Sequence, residues 1–251
     1  MLSPTTRFSN RVDNYVKYRP SYPPEIIDYL VENTGLRKRF VIADIGSGTG
    51  IFAEMFLQAG YRVKAVEPNE PMRNAAEKRL SSYSGFSSIN GTAEQTGIKE
   101  KSVDLVTAAQ AFHWFKPLAT KNEFMRILRP GGHILLVWNI RKTSSPFLSG
   151  YESIKAKYQV DYNQRTHNNE TVLETFFRPL KMIRQDFPNE ELLDFESLKG
   201  QLLSASYIPL EGQPGYEPMM EELSQLFIAT QENGKVKIEY DTKTYLAAIP
   251  K

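Results

Sequence analysis

Apolar residues in the first half of the chain come in short blocks, and most blocks are followed by a stretch with helical spacing. Phe40-Val41-Ile42-Ala43-Asp44-Ile45 is a mostly apolar run that stops at a glycine cluster, as expected of a parallel strand buried on both faces. Ile51 to Ala59 carries Ile51, Phe56 and Leu57 with helical spacing and stops at Gly60. The order then repeats: a strand over Tyr61–Glu67, a helix over Pro71–Leu80 with proline near its first turn, and a weaker strand over Phe86–Gly91. Ser102–Ala109 reads as a fourth strand. Lys121–Leu128 reads as a helix stopped by Pro130-Gly131-Gly132, and His133–Trp138 as a fifth strand. Ahead of these, Pro23–Asn33 has a helical pattern and follows an aromatic, basic arm containing Tyr15, Tyr18, Arg19 and Tyr22.

After residue 140 the pattern changes. Pro146–Tyr158 and Asn168–Phe177 read as helices, Lys181–Phe187 as a strand, and Asn189–Ser206 and Gly215–Glu232 as a second helical stretch. Val236, Ile238, Tyr240, Thr242, Thr244, Leu246 and Ala248 alternate with mostly charged residues, the mark of a half-exposed strand in an antiparallel position. Strand–helix alternation of this kind predicts an α/β fold with a doubly wound parallel sheet covered on both faces. The expected organisation is a single domain over 1–251: an arm and helix to residue 35, a core over 36–140, helical insertions around one strand over 141–234, and a final strand over 235–251. No repeat or low-complexity segment interrupts it.

Composition narrows the chemistry. The chain has no cysteine, which excludes disulfides, thiolate metal sites and a cysteine nucleophile. The 31 basic and 29 acidic residues leave a net charge of +2, too balanced to point to a nucleic-acid or membrane-surface partner. The polar start lacks the apolar stretch of a signal peptide, and no window approaches the ~20 apolar residues of a membrane span. A cytoplasmic location is therefore expected. No histidine–carboxylate spacing suggests a metal site.

The glycine cluster carries most of the functional information. Gly46, Gly48 and Gly50 sit between a strand and a helix, where glycine permits a tight turn and close approach of a ligand. The next strand ends at Glu67, whose carboxylate suits the hydroxyl groups of a ribose. Two nucleoside ligands compete for such a loop. The dinucleotide pattern G-x-G-x-x-G requires glycine where this chain has Ile51, or in the second register Ala53. Asp44, two residues before the first glycine, faces a pyrophosphate badly but suits a ligand with an ammonium group and a sulfonium centre. S-adenosylmethionine carries both.

Asp44-Ile45-Gly46-Ser47-Gly48-Thr49-Gly50 resembles the first motif of the class I methyltransferases, and more closely of the branch called methyltransferase type 11. Val66-Glu67-Pro68-Asn69 resembles the acidic second motif, Gly91-Thr92-Ala93-Glu94 the adenine loop with Thr92 where aspartate is usual, and Leu128-Arg129-Pro130-Gly131-Gly132 the turn before the fifth strand. Arg19-Pro20-Ser21-Tyr22-Pro23 and Ala111-Phe112-His113-Trp114-Phe115 look like the trans-aconitate methyltransferase-like group, as does Lys235–Tyr240.

The resemblance implies a Rossmann-like, seven-stranded, mostly parallel sheet with an antiparallel last strand, and S-adenosylmethionine as cofactor. It would place the Gly46-Ser47-Gly48 backbone and Gln110 along the methionine portion, Asp44 at its ammonium and Glu67 at the ribose, with Gly50 closing the loop. Pro68, Asn69, Thr92, Ala93 and Glu94 would flank adenine, and Tyr15, Tyr18 and Arg19 would close over the cofactor. The implied partner is a small-molecule methyl acceptor, with a carboxylate among the candidates. No base is required for a carboxylate, whereas a phenol, alcohol or amine calls for one. His113 is the candidate base, against the alternative that His113 and Trp114 only shape the pocket floor, and Tyr207 is a further candidate acceptor contact. Arg165, Arg178, Lys181 and Arg184 suit an acidic acceptor or simply a solvated face. The competing classes are an RNA or protein methyltransferase, a nicotinamide-dependent oxidoreductase, and a protein that binds the cofactor without catalysis.

Overall fold

The computed structural model describes residues 11–160 and 170–251. Arg165, His167 and the start of the expected helix at Asn168 lie outside the described residues. Seven strands form one sheet in the order β3-β2-β1-β4-β5-β7-β6. They are β1 (Val41–Ile45), β2 (Arg62–Val66), β3 (Phe86–Ile89), β4 (Val103–Ala109), β5 (Leu128–Arg141), β6 (Met182–Leu193) and β7 (Val236–Ala248). β1 pairs in parallel with β2 and β4, β2 with β3, and β4 with β5. β7 runs antiparallel to β5: the Ile249 N–H donates to the Gly132 carbonyl at one end and the Lys142 N–H to the Glu239 carbonyl at the other. The last strands thus depart from the parallel arrangement, as the alternating pattern after Val236 predicts.

Among the described residues, the helices in the first half of the chain are α1 (Val12–Tyr18), α2 (Glu25–Thr34), α3 (Ile51–Gln58), α4 (Glu70–Leu80) and α5 (Pro117–Ile127). The second half adds α6 (Pro146–Tyr158), α7 (Glu170–Phe177), α8 (Phe195–Leu203) and α9 (Tyr216–Thr230).

Three boundaries differ from the sequence reading for identifiable reasons. α5 begins at Pro117 rather than Lys121, because proline supplies a ready first-turn φ and the Glu94 carboxylate accepts the Lys116 N–H just ahead of it. Pro130-Gly131-Gly132 does not separate a helix from a strand. It is a bulge inside β5, with Val103 opposite Leu128 but Leu105 opposite His133. Residues 189–193 extend β6 instead of opening a helix, and α8 starts only after Asp194, whose side chain accepts the Ser197 N–H at 2.8 Å.

The packing contacts divide into two compact units. One is drawn from Ser21–Asn139, the segment ending at Phe187, and Thr242–Lys251. Its core joins Ile26 and Leu30 of α2, Phe52 and Phe56 of α3, and Ile42, Leu105 and Leu135 of the sheet. The other is drawn from the segment ending at Pro20, the segment beginning at Ile140, and Pro188–Asp241. There Leu148 and Tyr151 of α6, Leu198 of α8, Met219 and Leu223 of α9, and Ile238 of β7 form the core. No helix among the described residues is long and apolar enough to cross a membrane.

Candidate functional site

The glycine loop leaves β1 and enters α3, at the carboxyl end of the strands. Gly46, Gly48 and Gly50 all have positive φ, at 67°, 56° and 82°. A side chain at Gly46 would also collide, since its Cβ would lie 2.7 Å from the Ala111 Cβ and 3.2 Å from the Phe115 ring. At Gly50 the obstacle is Leu80, 2.6 Å away. The loop conformation is therefore open only to glycine, for both backbone and packing reasons.

The hydrogen bonds of this loop turn inward. The Gly46 and Ser47 N–H groups donate to the Val66 carbonyl, and the Gly50 N–H donates to the Ser47 carbonyl. The Gly48 N–H donates to Glu67 Oε2 at 2.8 Å, while Glu67 Oε1 accepts the Asn69 N–H at 2.8 Å. A loop that binds phosphate presents unpaired N–H groups to the anion. Here those four donors are already paired, and the polar groups on offer are carboxylates.

Glu67 is only 7% exposed, and burial raises its pKa against the opposing pull of its two N–H donors. Each of its oxygens accepts one N–H and retains a lone pair, the arrangement needed to receive two hydroxyl hydrogens. Asn69 also caps α4, its side chain accepting the Met72 N–H, and Arg73 donates to the Glu67 carbonyl.

Asp44 is 1% exposed. Its register partner on β4 is Thr107, whose hydroxyl donates to Asp44 Oδ1 at 2.8 Å. Oδ2 is buried with no hydrogen-bond partner. Burial, with repulsion from Glu67, pushes the Asp44 carboxyl up to about 7 despite the Thr107 hydrogen bond. A buried carboxylate oxygen of this kind is satisfied by a cationic donor. The Ser47 and Thr49 hydroxyls are likewise buried without partners.

Thr92 and Glu94 both serve a turn in this structure. The Thr92 hydroxyl accepts the Gln95 N–H at 3.2 Å, and Glu94 holds the Lys116 N–H at 2.8 Å. Ala93 between them is buried. Gln110, directly after β4, has φ 54°, a left-handed conformation uncommon outside glycine, and its amide donates to the Asn139 carbonyl at 3.0 Å. The chain then forms a short 3₁₀ turn, Phe112–Trp114, in which the His113 and Trp114 rings lie 4.8 Å apart. His133 lies apart from this turn, on β5, and burial lowers its pKa.

The structure thus brings Asp44, Gly46, Ser47, Gly48, Glu67 and Asn69 together in one hydrogen-bonded cradle. Tyr15, Tyr18, Arg19 and Tyr207 belong to the other compact unit. Tyr18 lies against Gly200 of α8, where a Cβ would sit 2.1 Å from its ring. Arg19 lies over the Tyr15 ring at 4.7 Å and donates to the Ser204 carbonyl. Tyr207 has Lys155 5.9 Å from its ring. Sequence reading missed Thr107, Ala111 and Phe115, which hold Asp44 and cover Gly46. Thr107 was accessible by aligning the first and fourth strands, whereas the Ala111 and Phe115 contacts depend on how the 3₁₀ turn folds back.

Residues 43–136 match the family model described as a methyltransferase domain. An uncharacterized methyltransferase of Mycobacterium tuberculosis is 39% identical over 134 residues. That stretch is 53% of this chain and 52% of the relative, so the match spans about half the length of each. A malonyl-[acyl-carrier protein] O-methyltransferase of Marinomonas sp. is 24% identical over 226 residues, covering 84% of this chain and 80% of that protein. A solved structure of a candidate type II methyltransferase from Anaeromyxobacter dehalogenans superposes with a TM-score of 0.74 at 22% identity. It covers 93% of this chain and all of that one, so the two share a fold.

Proposed function

We propose that this chain is a class I S-adenosylmethionine-dependent methyltransferase that transfers a methyl group to a carboxylate oxygen of a small-molecule acceptor. The observation that carries the reading is the cradle itself: two buried carboxylates, one with an oxygen lacking any partner, around a loop whose own donors are paired. S-adenosylmethionine, when bound, supplies an electrophilic methyl on a sulfonium that leaves as a neutral thioether. Asp44 would receive its ammonium at the open Oδ2. Glu67 would accept the ribose hydroxyls on its remaining lone pairs, with Pro68, Asn69 and Ala93 beside adenine and Gln110 toward the methionine end.

The acceptor class is inferred from two supports. The Marinomonas relative is an O-methyltransferase of a malonyl group, which ends in a carboxylate. A carboxylate oxygen also needs no proton removed before it attacks, so the chain's task reduces to alignment and exclusion of water. His113 and Trp114, next to the loop-covering Ala111 and Phe115, then shape the acceptor pocket and need not act as a base.

Calorimetric titration with S-adenosylhomocysteine and, separately, with NAD tests the cofactor. Binding of the first and not the second is expected, and absence of S-adenosylhomocysteine binding at millimolar concentration overturns the reading. A panel of carboxylates, phenols and amines tests the acceptor, with turnover expected among the carboxylates and turnover confined to amines refuting O-methylation.

A further inference from the structure

Between α8 and α9, within the one compact unit that holds both helices, lies a cavity of about 710 Å³. Its inner wall is apolar: Tyr216 is buried, and Phe195 of α8 and Met220 of α9 are half-buried. Its rim is acidic. Glu211, Glu217 and Glu221 stand exposed there, against a single cation, Lys199 of α8. Among the described residues, Glu211, Glu217 and Lys199 have no hydrogen bond or ion pair, and Glu221 has only a 3.4 Å contact from the Gln225 amide.

Two features of this face cost stability and serve nothing inside the unit. Glu217 and Glu221 stand at i and i+4 on α9, a like-charge pair on adjacent turns. The helix dipole favours Glu217 in the first turn but does not reach Glu221. Glu222, the next residue, shows the ordinary arrangement: it pairs with Lys157 and accepts the Tyr158 hydroxyl at 2.8 Å. The second feature is Ile228, a large apolar side chain 71% exposed. Glu217, Glu221, Ser224 and Ile228 follow one another at i, i+4, i+7 and i+11, so they form one stripe along α9. The stripe faces away from Met219 and Leu223, which are buried in the core of the unit.

We propose that the α8–α9 groove docks a basic amphipathic helix of a partner protein. Three carboxylates without cations call for lysine or arginine on that helix, and its apolar face fills the cavity against Phe195 and Met220. Length favours a helix over a small organic cation. The stripe runs about 16 Å along α9, and a small cation held in the cavity leaves Ile228 in water. Ser224, small and central on the stripe, leaves room for a side chain of the partner. Charge argues against a second copy seated on the same face, because a two-fold contact sets these carboxylates against one another. The inference is independent of the methyl-transfer reading: every residue it uses lies in one unit, and the cradle residues lie in the other.

The probe is a dye-labelled synthetic peptide of roughly 14 residues, long enough to span the stripe, with leucine at helical i, i+3, i+4 and i+7 positions and lysine elsewhere. Fluorescence anisotropy with the full chain should show micromolar binding that weakens as salt rises. Glu217→Gln combined with Glu221→Gln should weaken it roughly tenfold, and Ile228→Ser severalfold. Lys199→Glu removes the one repelling cation and should tighten binding severalfold, a gain that a misfolded variant does not produce. The same residues in scrambled order, without the amphipathic pattern, should bind roughly tenfold more weakly. Absence of binding, or binding insensitive to these substitutions, overturns the docking site. Scrambled peptide or spermidine binding as tightly as the helix overturns it in favour of a small or unstructured cation. Self-association of the wild type in sedimentation, abolished by Ile228→Ser, overturns it in favour of a second copy.

Discussion

Asp44 makes the cradle testable through pH. Its carboxyl rises from an ordinary 3.8 to about 7. That is about three units, which at 1.36 kcal/mol each corresponds to about 4 kcal/mol of penalty on the buried anion. Because the folded pKa exceeds the unfolded one, the folded state keeps a proton between roughly pH 4 and 7 that the unfolded chain releases. The group's contribution to stability therefore falls as pH rises through that window and levels off above pH 7.

Asp44→Asn retains an acceptor for the Thr107 hydroxyl without the charge, so its denaturation profile should lack this component. Urea unfolding of ligand-free wild type and variant at pH 4.5 to 7.5 should show the wild type losing about 3 kcal/mol relative to Asp44→Asn. An ammonium held at Asp44 would require the ionised carboxylate, so S-adenosylhomocysteine affinity should rise with pH. At pH 5, two units below the Asp44 pKa, it should be roughly a hundredfold weaker than above pH 7. Titrations stop at pH 7.5, below the pKa of the ligand's own amine. A wild-type affinity that is flat from pH 5 to 7.5, or an Asp44→Asn slope equal to the wild type's, would refute an ammonium at Asp44.

Glu67→Gln replaces an oxygen that accepts a backbone N–H with an amide that donates, so one of the two loop contacts is lost; S-adenosylhomocysteine affinity should fall about 10- to 100-fold by calorimetry. Gly46→Ala meets Ala111 at 2.7 Å and a φ of 67°, and should cost about 1–3 kcal/mol in urea unfolding and weaken cofactor binding. Glu123 accepts the Thr96 N–H and hydroxyl and pairs with Arg126; though burial opposes ionisation, these partners hold its carboxyl down to about 2. Its stabilisation is thus full above the ordinary carboxylate range and is lost as pH falls toward 2, so Glu123→Gln should flatten that part of the acid-denaturation curve.

The sheet and the cofactor loop were legible because both are local. Val41–Ile45 is apolar, ends at glycines, and can hardly be other than a buried strand, and Asp44 stands within it whatever surrounds it. The antiparallel final strand was equally readable, since alternation over Val236–Ala248 is a property of consecutive residues. Boundaries set by distant partners were not. The β5 bulge at Pro130-Gly131-Gly132 exists because β4 and β7 lie on either side, with Gly131 donating to the Pro250 carbonyl. The start of α5 depends in part on Glu94.

The same division runs through the site. Residue order alone determined which carboxylates and glycines stand at the ends of neighbouring strands, because chain connectivity and the two-residue period of a strand decide that. Tertiary structure decided their state. Packing removed water from Asp44, left one of its oxygens without a partner, and turned the loop donors inward onto Val66 and Glu67. Desolvation and long-range pairing depend on what surrounds a residue in space, and linear spacing does not encode them.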